Sequence, residues 1–342
     1  MNRYKWVHFI FSAKGAAIFG VFLLALLVLL ATLVDWPAVI DMLTNANRSA
    51  LAMGTFLLLI GYIFYAIRWR YLMNNIPDLP PVYHTANVGN MVNTLLPLRP
   101  GEPVRVLLLS SKGKPPALMA ASSIVVERWL ETILRIAALG GAFIYGAGAA
   151  VSGLTIAGSM LFLAFSFIFM IWLVRYRETA LRLIPAWLDH LPRVKEAQAR
   201  QGLSHLIDGL NTVSSPRRML VALIHSIITW TFFWGFHYLC LLALQPNLSV
   251  EELLGISLGS LALVPPSATT LPGIFQVSMV APLALMGYNT ALLTSYALVL
   301  NTITMVVVVA LGVWGTFATG LSLRQLAAQA EAAALEESGV AD

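Results

Sequence analysis

With one cysteine in 342 residues, Cys240, the chain can form no intrachain disulfide and no cysteine-based metal site. Inside an apolar run, that thiol reads as a small packing group. Charge is scarce as well: Asp, Glu, Lys and Arg make up 11% of the chain, against 58% hydrophobic residues. An ordinary soluble domain carries roughly 25% charged residues, so a water-soluble fold is excluded. Enzyme signatures are missing, with no HExxH, no Walker A and no G-x-S-x-G. His225 and His237 lie too far apart on one apolar run for joint metal ligation and read as packing or hydrogen-bonded histidines. Neither a metal nor a cofactor is expected. The formal charge of +5 gives no nucleic-acid partner, because the basic residues sit at the ends of apolar spans rather than in a continuous stripe.

What the chain has is apolar length. Ala16 to Val34 follows Arg3, Lys5 and Lys14; it is long enough to cross a ~30 Å hydrocarbon layer and reads as a retained helix rather than a signal peptide. Ala50 to Ile67 ends in Arg68-Trp69-Arg70-Tyr71, a basic and aromatic border expected at the membrane surface. A Pro-rich connector, Ile76 to Pro81, follows. The uncharged run Ile136 to Val174 is too long for one crossing and should turn at the Gly and Ala cluster Gly146 to Gly153. Residues 175–218 form a basic, amphipathic segment expected to lie along the cytoplasmic surface. The aromatics Trp230, Phe232, Phe233, Trp234 and Phe236 surround a helix, an arrangement expected to contact lipid.

Two apolar stretches are broken. The first, about 86–110, is interrupted by Pro97, Pro100, Gly101 and Pro103, and no continuous helix survives that density of prolines. The second, about 253–286, breaks at Pro265-Pro266 and again at Pro272-Gly273, with Gln276 just beyond. If both are re-entrant hairpins and six other runs cross fully, both termini face the cytoplasm. Arg48 is then the sole basic residue outside. Arg99, Arg105, Arg128 and Arg135 fall at membrane depth, and the rest of the 21 Lys and Arg, Arg68 included, lie on the cytoplasmic side. The two hairpins enter from opposite sides as a loose inverted repeat, a pointer to a transporter's binding site. The reading is an all-α, polytopic membrane domain over residues 1–322 with a polar tail at 323–342.

Ionisable residues within spans are expensive and mark function by default. Arg99, Glu102 and Arg105 surround the first break, where irregular backbone is tolerated only if it is buried or lines a cavity. The helix that Pro103 helps to open would point its N–H groups and positive dipole end at an anion. Glu127, Arg128, Glu131 and Arg135 fall within a 100° arc of one helix. The alternative is self-pairing: Arg99 with Glu102, and Glu131 with Arg135 along the helix. Four Arg against three Glu leave a net positive site that one anionic headgroup would balance.

The pattern Asn93-x-x-x-Pro97-x-Arg99-x-Gly101-Glu102-x-x-Arg105, followed by Glu127-Arg128-x-x-Glu131, resembles the flippase-like family typified by the transmembrane region of lysylphosphatidylglycerol synthase. The resemblance extends in order and spacing to the second Pro-Gly break. It implies lipid translocation, or an accessory role in envelope lipid and glycan assembly, in the inner membrane. It also implies no catalysis here, since aminoacyl transfer belongs to a separate soluble domain. The family's second break has an acidic residue shortly after it, where this chain has Gln276, so a proton or cation coupling role is not expected there.

The functional expectation is therefore a flippase or scramblase for an anionic phospholipid or polyprenyl-phosphate-linked lipid. Asn93, Arg99, Glu102, Arg105, Glu127, Arg128, Glu131 and Arg135 would surround the headgroup, and Pro265, Pro272, Gly273 and Gln276 would form the second break. A non-transporting lipid-binding subunit of an envelope biosynthesis complex is the alternative. The partners expected are an anionic lipid, envelope biosynthesis enzymes and a second copy of the chain.

Overall fold

The computed structural model describes residues 36–95, 100–111, 115–146, 215–263 and 273–320, with residues 176, 178–179 and 181. Expectations for the first helix, the turn at 146–153, most of the 175–218 segment and the tail fall outside the described residues, as do Arg99, Pro265 and Pro272.

Among the described residues the chain is entirely helical: α1 Trp36–Thr44, α2 Arg48–Leu72, α3 Leu79–Leu95, α4 Gly101–Ser110, α5 Ala117–Gly146, α6 Pro216–Leu244, α7 Val250–Leu263, α8 Ile274–Leu285 and α9 Thr290–Thr319. Arg48–Leu72, Arg217–Leu244 and Thr290–Thr319 are long and apolar enough to cross a membrane. The 30-residue α5 is as long as α9 but carries four charged side chains near its middle. The protein is a polytopic membrane protein.

Local chemistry sets the helix ends. Asn47, Ser215 and Asn289 accept hydrogen bonds from backbone N–H groups in the first turns of α2, α6 and α9. Pro80 and Pro81, assigned to a connector by the sequence reading, instead open α3, because the first turn of a helix needs no N–H from them. The first hairpin therefore starts at Leu79 rather than near residue 86. A short helix, α1, also occupies a stretch after Val34 for which no helix was expected.

Helix α6 runs antiparallel to α2. Asn47 N–H donates to Ala243 O at one end, Phe232 stacks on Phe64 at 5.1 Å in the middle, and Tyr71 faces His225 at the other end. Gly61 admits the Phe233 ring and Gly54 admits Phe236, which is 1% exposed. The aromatic belt of α6 thus packs substantially on α2 and not only on lipid, a correction with a plain cause: two glycines two turns apart on one face of α2 leave room that rings fill. Cys240 is buried, as read.

Helices α3 and α4 fold back on each other, with Gly89 beside Arg105 and Gly101 beside Asn93. Helix α7 meets α8 where Gly259 faces Leu283. The first hairpin opens at the C-terminal end of α2, six residues away along the chain, and the second at the C-terminal end of α6. Since α2 and α6 are antiparallel, the hairpins open toward opposite ends of the bundle. Their closed ends both approach the middle of α9, Thr94 sharing a cavity with Thr304 and Gln276 sharing one with Asn301.

Candidate functional site

The charged face of α5 meets α2 and the first hairpin in one buried cluster. Glu127 is fully buried, and its Oε1 accepts from Tyr65 Oη at 2.7 Å, Arg128 Nη2 at 2.8 Å and Arg105 Nη2 at 3.1 Å. Arg68 Nη2 lies 3.5 Å from the same oxygen and donates to Glu131 Oε1 at 2.8 Å. Arg105 also donates to Tyr65 Oη and stacks over Trp69 at 4.7 Å. Arg128 bridges outward, to Glu131 Oε2 at 2.8 Å and Glu102 Oε1 at 3.3 Å. Bringing such groups out of water is offset only when geometry and hydrogen bonds are both good. Here the pairing is dense but lopsided: Glu127 Oε2, Arg105 Nε and Arg68 Nε and Nη1 have no hydrogen-bond partner.

Arg68 is the residue the sequence reading misplaced. It was counted with the cytoplasmic flank, yet its side chain is 0% exposed and closes the cluster. The signal was present in the helical spacing: Tyr65, Arg68, Trp69 and Leu72 share one buried face of α2, while Arg70 points away and donates to Pro77 O.

Asn93 lies where expected, at the closed end of the first hairpin, but its Oδ1 accepts from Gly101 N–H at 2.7 Å. That bond clasps the hairpin and takes one of the N–H groups at the start of α4, where Glu102 stands in the first turn.

The cluster borders a cavity of about 240 Å³, lined by Tyr62, Tyr65, Asn90, Asn93, Thr94, Arg128, Glu131, Arg135 and Thr304 with Phe233 and Val308. Arg128, 30% exposed, and Arg135 are the cationic groups facing it, whereas Arg68 and Arg105 stand behind. Arg135 lies over the Trp230 ring at 5.7 Å. Glu131 is bound by Arg68 of α2 and by Arg128 of its own helix. Arg68, Arg105, Arg128 and Arg135 set against Glu102, Glu127 and Glu131 leave one excess positive charge among the described residues.

At the second break, Gly273 takes φ +92°, and its N–H donates to Gln276 Oε1 at 2.5 Å, so Gln276 caps α8 from within. His225 and His237 bond to Val221 O and Ser260 Oγ, the local roles read from the sequence. Among the described residues no group of three His, Cys, Asp or Glu could hold a metal ion.

Residues 16–312 match the family described as lysylphosphatidylglycerol synthase TM region, and the chain belongs to that family. No curated protein and no solved structure matches it.

Proposed function

We propose that this member of the lysylphosphatidylglycerol synthase TM region family moves an anionic lipid across the inner membrane, as a flippase or scramblase, without making or breaking covalent bonds. The observation that carries the reading is the cavity walled by Arg128 and Arg135 and backed by a buried, carboxylate-braced arginine cluster. A phosphate entering it meets cations whose positions are already fixed, so little ordering is left for binding to cost. Glu127 and Glu131 are committed to arginines, which suits a rigid charge frame better than acid-base chemistry. The polar hairpin ends at the middle of the bundle give the headgroup a route, while acyl tails stay among the exposed apolar flanks. Both termini face the cytoplasm in this reading, and Arg99 contributes a further cation.

The test is movement of headgroup-labelled lipids in liposomes containing the purified protein. An anionic phospholipid or polyprenyl phosphate should cross, and Arg135→Ala should slow it at least about tenfold, equivalent to ~1.4 kcal/mol, while the fold persists. Lipid binding by a folded protein with no movement of any lipid would transfer the assignment to a lipid-presenting subunit of an envelope biosynthesis complex.

A further inference from the structure

Arg128 is shared between the charged cluster and the cavity, and three carboxylates surround it. Its Nη2 and Nη1 meet Glu127 and Glu131 at 2.8 Å each. Its Nε faces Glu102 Oε1 at 3.3 Å, yet that buried Nε has no hydrogen-bond partner. The contact with Glu102 is thus longer than the other two, and electrostatic rather than hydrogen-bonded.

The carboxylates also differ in setting. Glu127 and Glu131 stand on α5 itself and are held in addition by Arg68, and Glu127 also by Arg105 and Tyr65. Glu102 comes from the opposite wall, on the first turn of α4, and its side chain is 25% exposed where that of Glu127 is 0%. Its neighbour Gly101 is clasped by Asn93, which lines the cavity, so Glu102 stands beside the cavity wall without being among its described lining.

A carboxylate on a ligand-binding arginine acts in two opposed ways. By fixing the guanidinium it favours an incoming anion; by its charge it opposes one. Here the first contribution is small, because a planar guanidinium held at both Nη atoms is already oriented, and a third contact without hydrogen-bond geometry adds little. The second is larger. An anion touching Arg128 from the cavity lies across one guanidinium group from Glu102, at a depth where charges are weakly screened. Two ion pairs do not exhaust the N–H donors of a guanidinium, so Arg128 still has some to offer that anion.

Resting on the anionic-lipid reading above, we infer that Glu102 is an internal competitor for Arg128. It balances the arginine when no lipid is bound and opposes the phosphate that then shares the same guanidinium, so its charge sets how tightly the site holds a lipid.

The test is the sign of an affinity change and its scaling with ligand charge. Two tail-labelled lipids are used with the full chain in phosphatidylcholine nanodiscs: phosphatidylmethanol, a phosphodiester with a single charge, and phosphatidic acid, a monoester that carries close to two charges at about pH 8. Glu102→Gln should bind phosphatidylmethanol at least about threefold more tightly than the parent, and phosphatidic acid more tightly by about the square of that factor, since Coulomb energy is proportional to ligand charge. Glu102→Ala, which removes the side-chain contact as well as the charge, is the second variant and should do the same. A gain missing from either folded variant, or equal for the two lipids, overturns the inference, and a mere brace would give weaker binding throughout. Displacement of phosphatidic acid by equimolar glycerol phosphate would assign the site to free phosphate and remove the lipid reading, with the role of Glu102 still read from the variants. Translocation is measured separately: tighter binding by the variants without crossing by the parent removes transport and leaves the competitor, while crossing with unchanged affinity removes the competitor and leaves transport.

Discussion

The two helical hairpins do similar geometric work with different chemistry. In each, two helices pack back on one another, each pair reaches the middle of α9, and they open toward opposite ends of the bundle. The first sets Glu102 and Arg105 into a network of six ion-paired residues drawn from α2, α4 and α5, with backbone approaching backbone at Gly89 and Gly101. The second has neutral Gln276 at the corresponding place, and Gly259 faces side chains alone, the flexible end of Leu283 and Ala142. The first hairpin is a locked wall; the second is held by weaker, more forgiving contacts. Under the transport proposal, a path with one fixed side and one yielding side needs only the second to adjust.

Stability measurements in detergent or nanodiscs can break that contrast. Glu127→Leu should have the largest effect, destabilising the fold by about 3–5 kcal/mol, because Arg68, Arg105 and Arg128 lose their shared acceptor while Arg68 and Arg105 stay buried. A loss no larger than that of a second-hairpin variant would mean the cluster is not the rigid side. The glycines give a sharper comparison. A methyl group at Gly101 collides with the Gly89 carbonyl oxygen and Asn93, so Gly101→Ala should cost about 2–3 kcal/mol, near the upper end for overpacking. Gly259→Ala crowds Leu283 Cδ2, at 2.8 Å, and makes an ordinary contact with Ala142 Cβ, at 3.5 Å, so it should stay within about 1 kcal/mol of the parent, helped by the better helix propensity of alanine. Equal effects would remove the distinction between backbone and side-chain contact. Gln276→Leu should cost about 1–2 kcal/mol, the penalty for leaving the Gly273 N–H without its acceptor, and so fall below the loss at Glu127.

Much of this was legible in the sequence. Prolines and glycines at 97–103 and 265–273 marked both breaks, and helical spacing placed Glu127, Arg128 and Glu131 on one face. Arg68 escaped because Arg68-Trp69-Arg70-Tyr71 has the composition of an interfacial belt, and composition cannot say which of two arginines turns inward. Its partner Glu131 is 63 residues away, so only the tertiary fold decides. The bond of Asn93 to Gly101 was not legible, since it depends on how closely α3 and α4 approach. The rings of α6 were assigned to lipid because apolar surface facing a helix and apolar surface facing acyl chains look alike in sequence.

The separation of Arg68 from its carboxylates also constrains how the chain is made. Helix α2 enters the bilayer with a lone guanidinium, and Glu131 emerges from the ribosome only 63 residues later. At roughly 5–20 residues per second, that interval lasts on the order of ten seconds. During it, α2 carries part of the insertion penalty, which reaches about 2.5–3.5 kcal/mol at a helix centre and is smaller for Arg68 near the end of α2, without the carboxylates that later offset it. The nascent helix should therefore sit shallow or beside the insertion machinery until α5 arrives, and become a settled span only once the ion pairs close.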